Sequence, residues 1–148
     1  MNPNKALWEK GDFTRISETM RSSGESLVSK LSITKDLRVL DLGCGDGTTA
    51  IPAAKLGADV LGVDIAQNLV EAGKRRAQSE GLMNCIFQEG DATGLHDLDD
   101  QSFDLVVTIF GAMFAPKPMG RCPRNGSCHP PRWKDRYGAT GYRAILPL

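Results

Sequence analysis

The stretch Val39-Leu40-Asp41-Leu42-Gly43-Cys44-Gly45-Asp46-Gly47 decides the reading of this chain, together with Asp64 at the end of the next apolar run. An apolar strand enters a turn with glycine at every second position, where a side chain would obstruct both the tight bend and the close approach of a ligand. The spacing is Gly-x-Gly-x-Gly. The dinucleotide fingerprint instead places its third glycine one position later, to pack a helix under a pyrophosphate. Two acids, Asp41 and Asp46, flank or interrupt the loop. Carboxylates there would repel a pyrophosphate and suit a ligand with a cationic end.

Outward from the loop, apolar runs alternate with helical patterns. Residues 37–42 read as a first strand, and Thr48 to Leu56 as a helix ended at Gly57, with Pro52 in its first turns where it is tolerated. Residues 58–64 read as a second strand and Gln67 to Glu80 as a second helix closed by Gly81. Asn84 to Gln88 reads as a third strand, and Phe103 to Phe110 as a fourth, almost uninterrupted in apolar residues as a strand buried on both faces should be. The order β-α-β-α-β-β predicts an α/β fold, a Rossmann-like three-layer sandwich on a mainly parallel sheet. Upstream, Leu7, Trp8, Phe13, Ile16, Met20, Leu27, Val28 and Leu31 recur among charges, which predicts one or two amphipathic helices, with the break expected at Ser22-Ser23-Gly24.

In an open parallel sheet, ligands bind outside the carboxyl ends of the strands, near the point where strand order reverses. The conspicuous polar residues fall at such ends. Asp41 and the glycine loop end the first strand, Asp64 the second, Gly90-Asp91-Ala92 follows the third, and Thr108 lies at the end of the fourth. A carboxylate has two oxygens and about four lone-pair sites, so Asp64 can accept from both hydroxyls of a ribose. Simpler roles stand beside these: Asp64 as a helix cap, Asp91 as a loop carboxylate, Cys44 as a small filler, and Lys74-Arg75-Arg76 and His96 as solvated groups. Trp8, Phe13, Met113 and Phe114 are candidates either to border a substrate or cofactor or to pack as core or lid.

In combination, the loop, Asp64 and Gly90-Asp91-Ala92 resemble the class I S-adenosylmethionine-dependent methyltransferases over about residues 37 to 118. The resemblance implies S-adenosyl-L-methionine as cofactor. Gly43, Cys44 and Gly45 would contact its methionine and ribose portions through backbone atoms, and Asp41 would receive the amino group. Asp64 would take the ribose hydroxyls and Ile65 the adenine face. Asp91 would take the adenine amine, with Ala92 supplying a backbone amide, while Thr108 and Ile109 would border the sulfonium. No catalytic residue is implied, because methyl transfer from a sulfonium releases a neutral thioether and needs no protein nucleophile. Two alternatives remain: a nicotinamide or flavin oxidoreductase fragment, disfavoured by the glycine spacing, and a noncatalytic cofactor-binding or interaction fragment.

Composition narrows the remaining classes. A length of 148 residues suits one domain with a real core, and 18 basic residues balance 18 acidic ones. Zero net charge supplies no global attraction to nucleic acid or anionic membrane, so a small-molecule acceptor is expected. The apolar run Leu105 to Ala115 falls short of the roughly 20 residues that span a bilayer. The opening Met1-Asn2-Pro3-Asn4-Lys5 lacks a secretory apolar core, so a cytoplasmic location is expected. Cys122 and Cys128-His129 fit no metal-ligand spacing, and no metal is expected.

Past Pro118 the pattern breaks. Residues 119–148 are rich in Arg, Gly, Pro and Cys without helical or strand period, and the Arg-Pro-Gly-Gly turn and later strands that the resemblance implies are missing. The expected division is therefore a helical segment over residues 1–36, a cofactor-binding core over 37–118 and an irregular tail over 119–148. A permitted choice of codons for Cys122 to Gly138, read one base later, spells Ala-Gln-Gly-Met-Val-Arg-Val-Thr-Arg-Pro-Gly-Gly-Arg-Ile-Val-Met. A shifted reading frame would thus account for the break, would leave the fourth strand as an open sheet edge, and would weaken cofactor binding and activity.

Overall fold

The computed structural model of the chain describes residue 2, residues 4–92, residue 95, residues 103–109 and the backbone of residues 141–144. Two helices, α1 (Lys5–Lys10) and α2 (Phe13–Val28), precede β1 (Arg38–Leu42), α3 (Ala50–Lys55), β2 (Asp59–Asp64), α4 (Gln67–Ser79), β3 (Cys85–Glu89), β4 (Leu105–Thr108) and β5 (Gly141–Ala144). The strands form one sheet in the order β3-β2-β1-β4-β5, and every pairing is parallel. Each strand therefore presents its carboxyl end on the same side. The order reverses between β1 and β4, so Asp41, paired with Gly62 on one side and Val107 on the other, stands at the switch point.

Burial follows the pleat. Val39, Val60, Phe87, Leu105 and Val107 pack with Ile51, Ala53, Ala54 and Val70 on the face covered by α3 and α4, while Leu40, Leu42, Val63 and Val106 form a second cluster with Leu95 and Phe103. Side chains of β1 enter both clusters, and its last four residues are buried, as expected for an interior parallel strand. The start of β4 is pinned to β1 by reciprocal bonds: the Asp104 amide donates to the Arg38 carbonyl at 2.8 Å, and the Arg38 amide donates to Asp104 Oδ2 at 2.9 Å.

Three expectations are corrected. The helical break lies at Gly11-Asp12, and α2 continues through Ser22-Ser23-Gly24. Gly24 is a contact residue: a Cβ there would collide with the carbonyl oxygen of Thr48, so glycine lets α2 settle onto the loop after β1. The helix expected from Thr48 starts at Ala50, because Gly45 and Gly47 hold φ of +54° and +91°, outside the helical region, and the chain completes its turn first. The tail, expected to be irregular, contributes β5, whose backbone pairs in register from Leu105↔Gly141 to Thr108↔Ala144. That pairing meets the hydrogen-bonding requirement of β4's outer edge, so β4 is an interior strand. Cys122, His96, Met113 and Phe114 lie outside the described residues, as do Cys128 and His129. Among the described residues, no helix is long and apolar enough to cross a membrane.

Candidate functional site

The glycine loop is positioned by backbone bonds before any ligand arrives. The amides of Gly43 and Cys44 both donate to the carbonyl of Val63, at 2.8 and 3.2 Å, and the Gly47 amide donates to the Cys44 carbonyl at 3.0 Å. Asp64 completes the frame. Its Oδ2 accepts from the Gly45 amide and its Oδ1 from the Ala66 amide, both at 2.9 Å, so one carboxylate joins the loop to the first residue of the turn into α4. Asp64 is not the helix cap read from sequence: the N-cap of α4 is Ala66, and the Asp64 bond goes to that residue's own amide, while each oxygen keeps lone pairs beyond the bond it accepts. Burial pushes the Asp64 carboxyl above the usual carboxylate range, and the amides of Ala66, Gly45 and Ile65 pull against that shift.

Asp41 is more exceptional. It is 2% exposed, and its Oδ2 is buried without a hydrogen-bond partner. Burial, and then the neighbouring charge of Asp64, push its carboxyl up to about 7, with the Ala50 amide opposing. A buried oxygen without a donor is costly in the ligand-free protein. Asp41 lines a cavity of about 650 Å³, inside the roughly 300–1,000 Å³ range typical of small-molecule sites. An ammonium group would supply the missing donor and a compensating charge, so the residues present fit the amino-acid end of S-adenosylmethionine.

The cavity gathers eight of the nine candidate residues: Asp41, Gly43, Cys44, Gly45, Asp64, Ile65, Asp91 and Ala92. A Cβ at Gly45 would meet nothing within 4 Å, which leaves the backbone there open to close approach. Thr108 stands outside the lining. Its hydroxyl donates to the Leu42 carbonyl at 2.8 Å, fastening the end of β4 to the end of β1, and the adjacent Ile109 lines the cavity. Burial raises the Cys44 thiol well above its ordinary value and pushes Cys85 up to about 12, so both remain neutral thiols near pH 7. Among the described residues no cluster of His, Cys, Asp or Glu could hold a metal ion.

Asp46 plays a different part from that implied by its place in the loop. It is 1% exposed and does not line the cavity. Arg21 Nη2 of α2 approaches its Oδ2 at 3.3 Å, and Arg76 Nη1 of α4 approaches its Oδ1 at 3.4 Å while donating to the Asp46 carbonyl at 2.7 Å. The loop's second acid is therefore neutralised from outside and ties two helices to the turn. This corrects the solvated reading of Arg76, whose side chain is only 21% exposed. Position on α4 alone gave no signal of it, because α2 and the loop are far apart in sequence.

The opposite wall is apolar. Trp8 and Phe13 meet as a tilted pair, with ring centroids 4.8 Å apart at 53°, and Ile16, Met20 and Leu27 continue the lining along α2. At the strand ends α1 is held by Lys5, which pairs with Glu89 and donates to the Ile65 carbonyl at 3.2 Å, and by Glu9, which accepts from the Gln67 amide at 3.2 Å. The spacing of Phe13, Ile16, Met20 and Leu27 was legible as a helix stripe. What it faces was not.

Comparison with known proteins agrees with this geometry. A family model described as a methyltransferase domain matches residues 39–122. An uncharacterized protein of Mycobacterium tuberculosis is 38% identical over 114 residues, spanning 76% of this chain and 41% of that protein. The chain thus spans about two fifths of the length of that relative. The crystal structure of the YcgJ protein from Bacillus subtilis superposes with a TM-score of 0.57 at 32% identity, covering 62% of this chain and 39% of the other. A phosphoethanolamine N-methyltransferase from Haemonchus contortus, solved with phosphoethanolamine and S-adenosylhomocysteine, gives a TM-score of 0.63 at 25% identity, covering 74% of this chain and 25% of the other.

Proposed function

Since the chain belongs to the class I S-adenosylmethionine-dependent methyltransferase family and has its Rossmann-like fold, we propose that it binds S-adenosylmethionine in the cavity at the carboxyl ends of β1 and β2 and methylates a small-molecule acceptor. The observation that carries this reading is the unpartnered, buried Oδ2 of Asp41 beside the open backbone of Gly45. Asp41 receives the ammonium group of the cofactor. Asp64, already held by the Gly45 and Ala66 amides, offers its remaining lone pairs to the ribose hydroxyls. Ile65 lies against the adenine face, Asp91 and the Ala92 amide meet the adenine edge, and Gly43 and Cys44 line the methionine portion. Thr108 acts through its bond to Leu42, fixing the β4 end from which Ile109 borders the reacting centre.

When bound, the cofactor supplies an electrophilic methyl group on a cationic sulfur, and its departure leaves a neutral thioether. The protein's work is alignment and exclusion of water. The frame for alignment exists before binding, since the loop, β2 and the start of α4 are joined through Val63 and Asp64. The neutral thiols of Cys44 and Cys85 take no nucleophilic part. The unit proposed to carry the site is residues 37–118, with residues 1–36 covering it.

Calorimetric titration with S-adenosylmethionine, S-adenosylhomocysteine and NAD tests the reading. Saturable binding of the first two, lost in Asp64→Ala, is expected. Preferential binding of NAD would replace the methyltransferase reading with the oxidoreductase one, and transfer of no methyl to any acceptor despite tight binding would leave a cofactor-binding module.

A further inference from the structure

The α2 wall of the cavity is built as a continuous apolar stripe, yet it contributes little to the core. Phe13, Ile16, Met20 and Leu27 follow one another at intervals of three, four and seven residues and all line the cavity, whereas only Gly24 and Val28 of the helix are buried. Ile16 remains 54% exposed. An amphipathic helix normally turns such a stripe into the core; this one turns it toward empty space shared with the cofactor loop. The tilted Trp8–Phe13 ring pair lines the α1 end of the same wall.

Charge is distributed unevenly across the cavity. Among the described lining residues none is Lys, Arg or His, and the acids Asp41, Asp64 and Asp91 all lie at the strand ends. The cations of α2 and α4 nearest the loop, Arg21 and Arg76, are engaged with Asp46, outside the lining. On the α2 side the polar groups are small and neutral, such as Ser17 and Ser23. The described lining offers an anionic acceptor three carboxylates and no counterion, and an unpaired charge loses its hydration at a penalty of several kcal/mol. An uncharged, flat or alicyclic molecule would cover the exposed Ile16 and the ring faces of Trp8 and Phe13.

We infer that the methyl acceptor is an uncharged, mainly apolar small molecule seated between the Trp8–Phe13 pair and the Ile16–Met20–Leu27 stripe of α2. The inference rests on the cofactor assignment above for the strand-end residues of the same cavity. It makes α1 and α2 the determinants of acceptor choice, independent of the strand-end acids.

The test is calorimetry on the whole chain, first with S-adenosylhomocysteine and then, on both the saturated and the free protein, with naphthol, naphthoate and naphthyl phosphate as probes. Naphthol is expected to bind saturably, at least about tenfold tighter than either anion. Ile16→Asp, at a half-exposed position, is expected to weaken naphthol by about tenfold or more while leaving S-adenosylhomocysteine affinity within about twofold, which certifies folding. Ile16→Leu should restore naphthol binding. Equal or tighter binding of naphthyl phosphate overturns the inference, as does naphthol binding that Ile16→Asp leaves unchanged. Failure of S-adenosylhomocysteine to bind, with naphthol still sensitive to Ile16→Asp, would refute the cofactor assignment and leave the apolar site standing.

Discussion

Asp41→Asn should make the ligand-free protein more stable and its cofactor binding worse. In the unfolded chain an aspartate titrates near its ordinary value of 3.8, whereas in the native protein burial and the Asp64 charge raise Asp41 to about 7. Between those two values the unfolded chain has released its proton and the native protein still holds it. The native state then binds more protons, so stability falls as pH rises through this window and levels off above about pH 7. At about 1.4 kcal/mol per tenfold change in proton affinity, the gap from 3.8 to about 7 corresponds to a burden of order 4 kcal/mol at neutral pH and above. Asparagine removes the ionisation and keeps the shape. Its amide carries two N–H donors where the protonated carboxyl carries one O–H, so the variant has one more buried donor to accommodate, a cost that does not change with pH. Urea unfolding of the two ligand-free proteins by circular dichroism, at several pH values from 4 to 8, should therefore show the variant no more stable than the parent at the acid end. A gap in favour of the variant should open as pH rises. Cofactor affinity should move the opposite way, falling by about ten- to hundredfold, because a charged hydrogen bond worth about 1.5–3 kcal/mol is lost. A stability difference that stays constant with pH would refute the claim that Asp41 is held under electrostatic strain. A variant that binds S-adenosylmethionine as well as the parent would refute its role as ammonium receptor.

Other perturbations address the frame around the site. Asp64→Ala strips two backbone amides, of Gly45 and Ala66, of their shared acceptor and should cost about 3 kcal/mol in unfolding free energy as well as cofactor affinity; unchanged stability would show that the carboxylate does not bridge loop and helix. Arg76→Met leaves the buried Asp46 with Arg21 alone and should cost about 2 kcal/mol, less than the roughly 3–5 kcal/mol of a fully orphaned buried charge. Adding Asp46→Asn should recover part of that loss, and strict additivity of the two changes would argue against the pairing. Gly24→Ala would gain about 1 kcal/mol in helix propensity, but its methyl group collides with the Thr48 carbonyl, so a net fall in melting temperature is expected; a rise would show that α2 does not seat there. Iodoacetamide at pH 8, followed by mass spectrometry of the Cys44 and Cys85 peptides, should label neither thiol until the protein unfolds, and rapid native labelling of Cys44 would contradict its raised pKa.

Much of the architecture was legible because its signals are local. The apolar runs ending at Leu42, Asp64, Glu89 and Thr108 each carry their own burial pattern, and a glycine loop between a strand and a helix leaves few alternatives for the chain between them. Asp41 and Asp64 could be singled out for the same reason: parallel strands in one sheet end on one side, so acids at consecutive strand ends converge without any knowledge of packing. The helix boundaries before the sheet were misjudged because Ser22-Ser23-Gly24 has the composition of a break, while the cause of Gly24 is a neighbour at Thr48.

By itself, then, the order of residues determined the parallel α/β plan, the loop after β1 and the gathering of acids at consecutive strand ends, since each depends on period, spacing or strand polarity. Tertiary structure alone decided which acid lines the cavity and which is neutralised: Asp41 and Asp46 lie five residues apart, but only the approach of Arg21 and Arg76 from two separate helices distinguishes them. It also decided that the stripe of α2 lines a cavity instead of entering the core, because whether an apolar face is buried depends on what the fold sets against it, and no local pattern contains that partner.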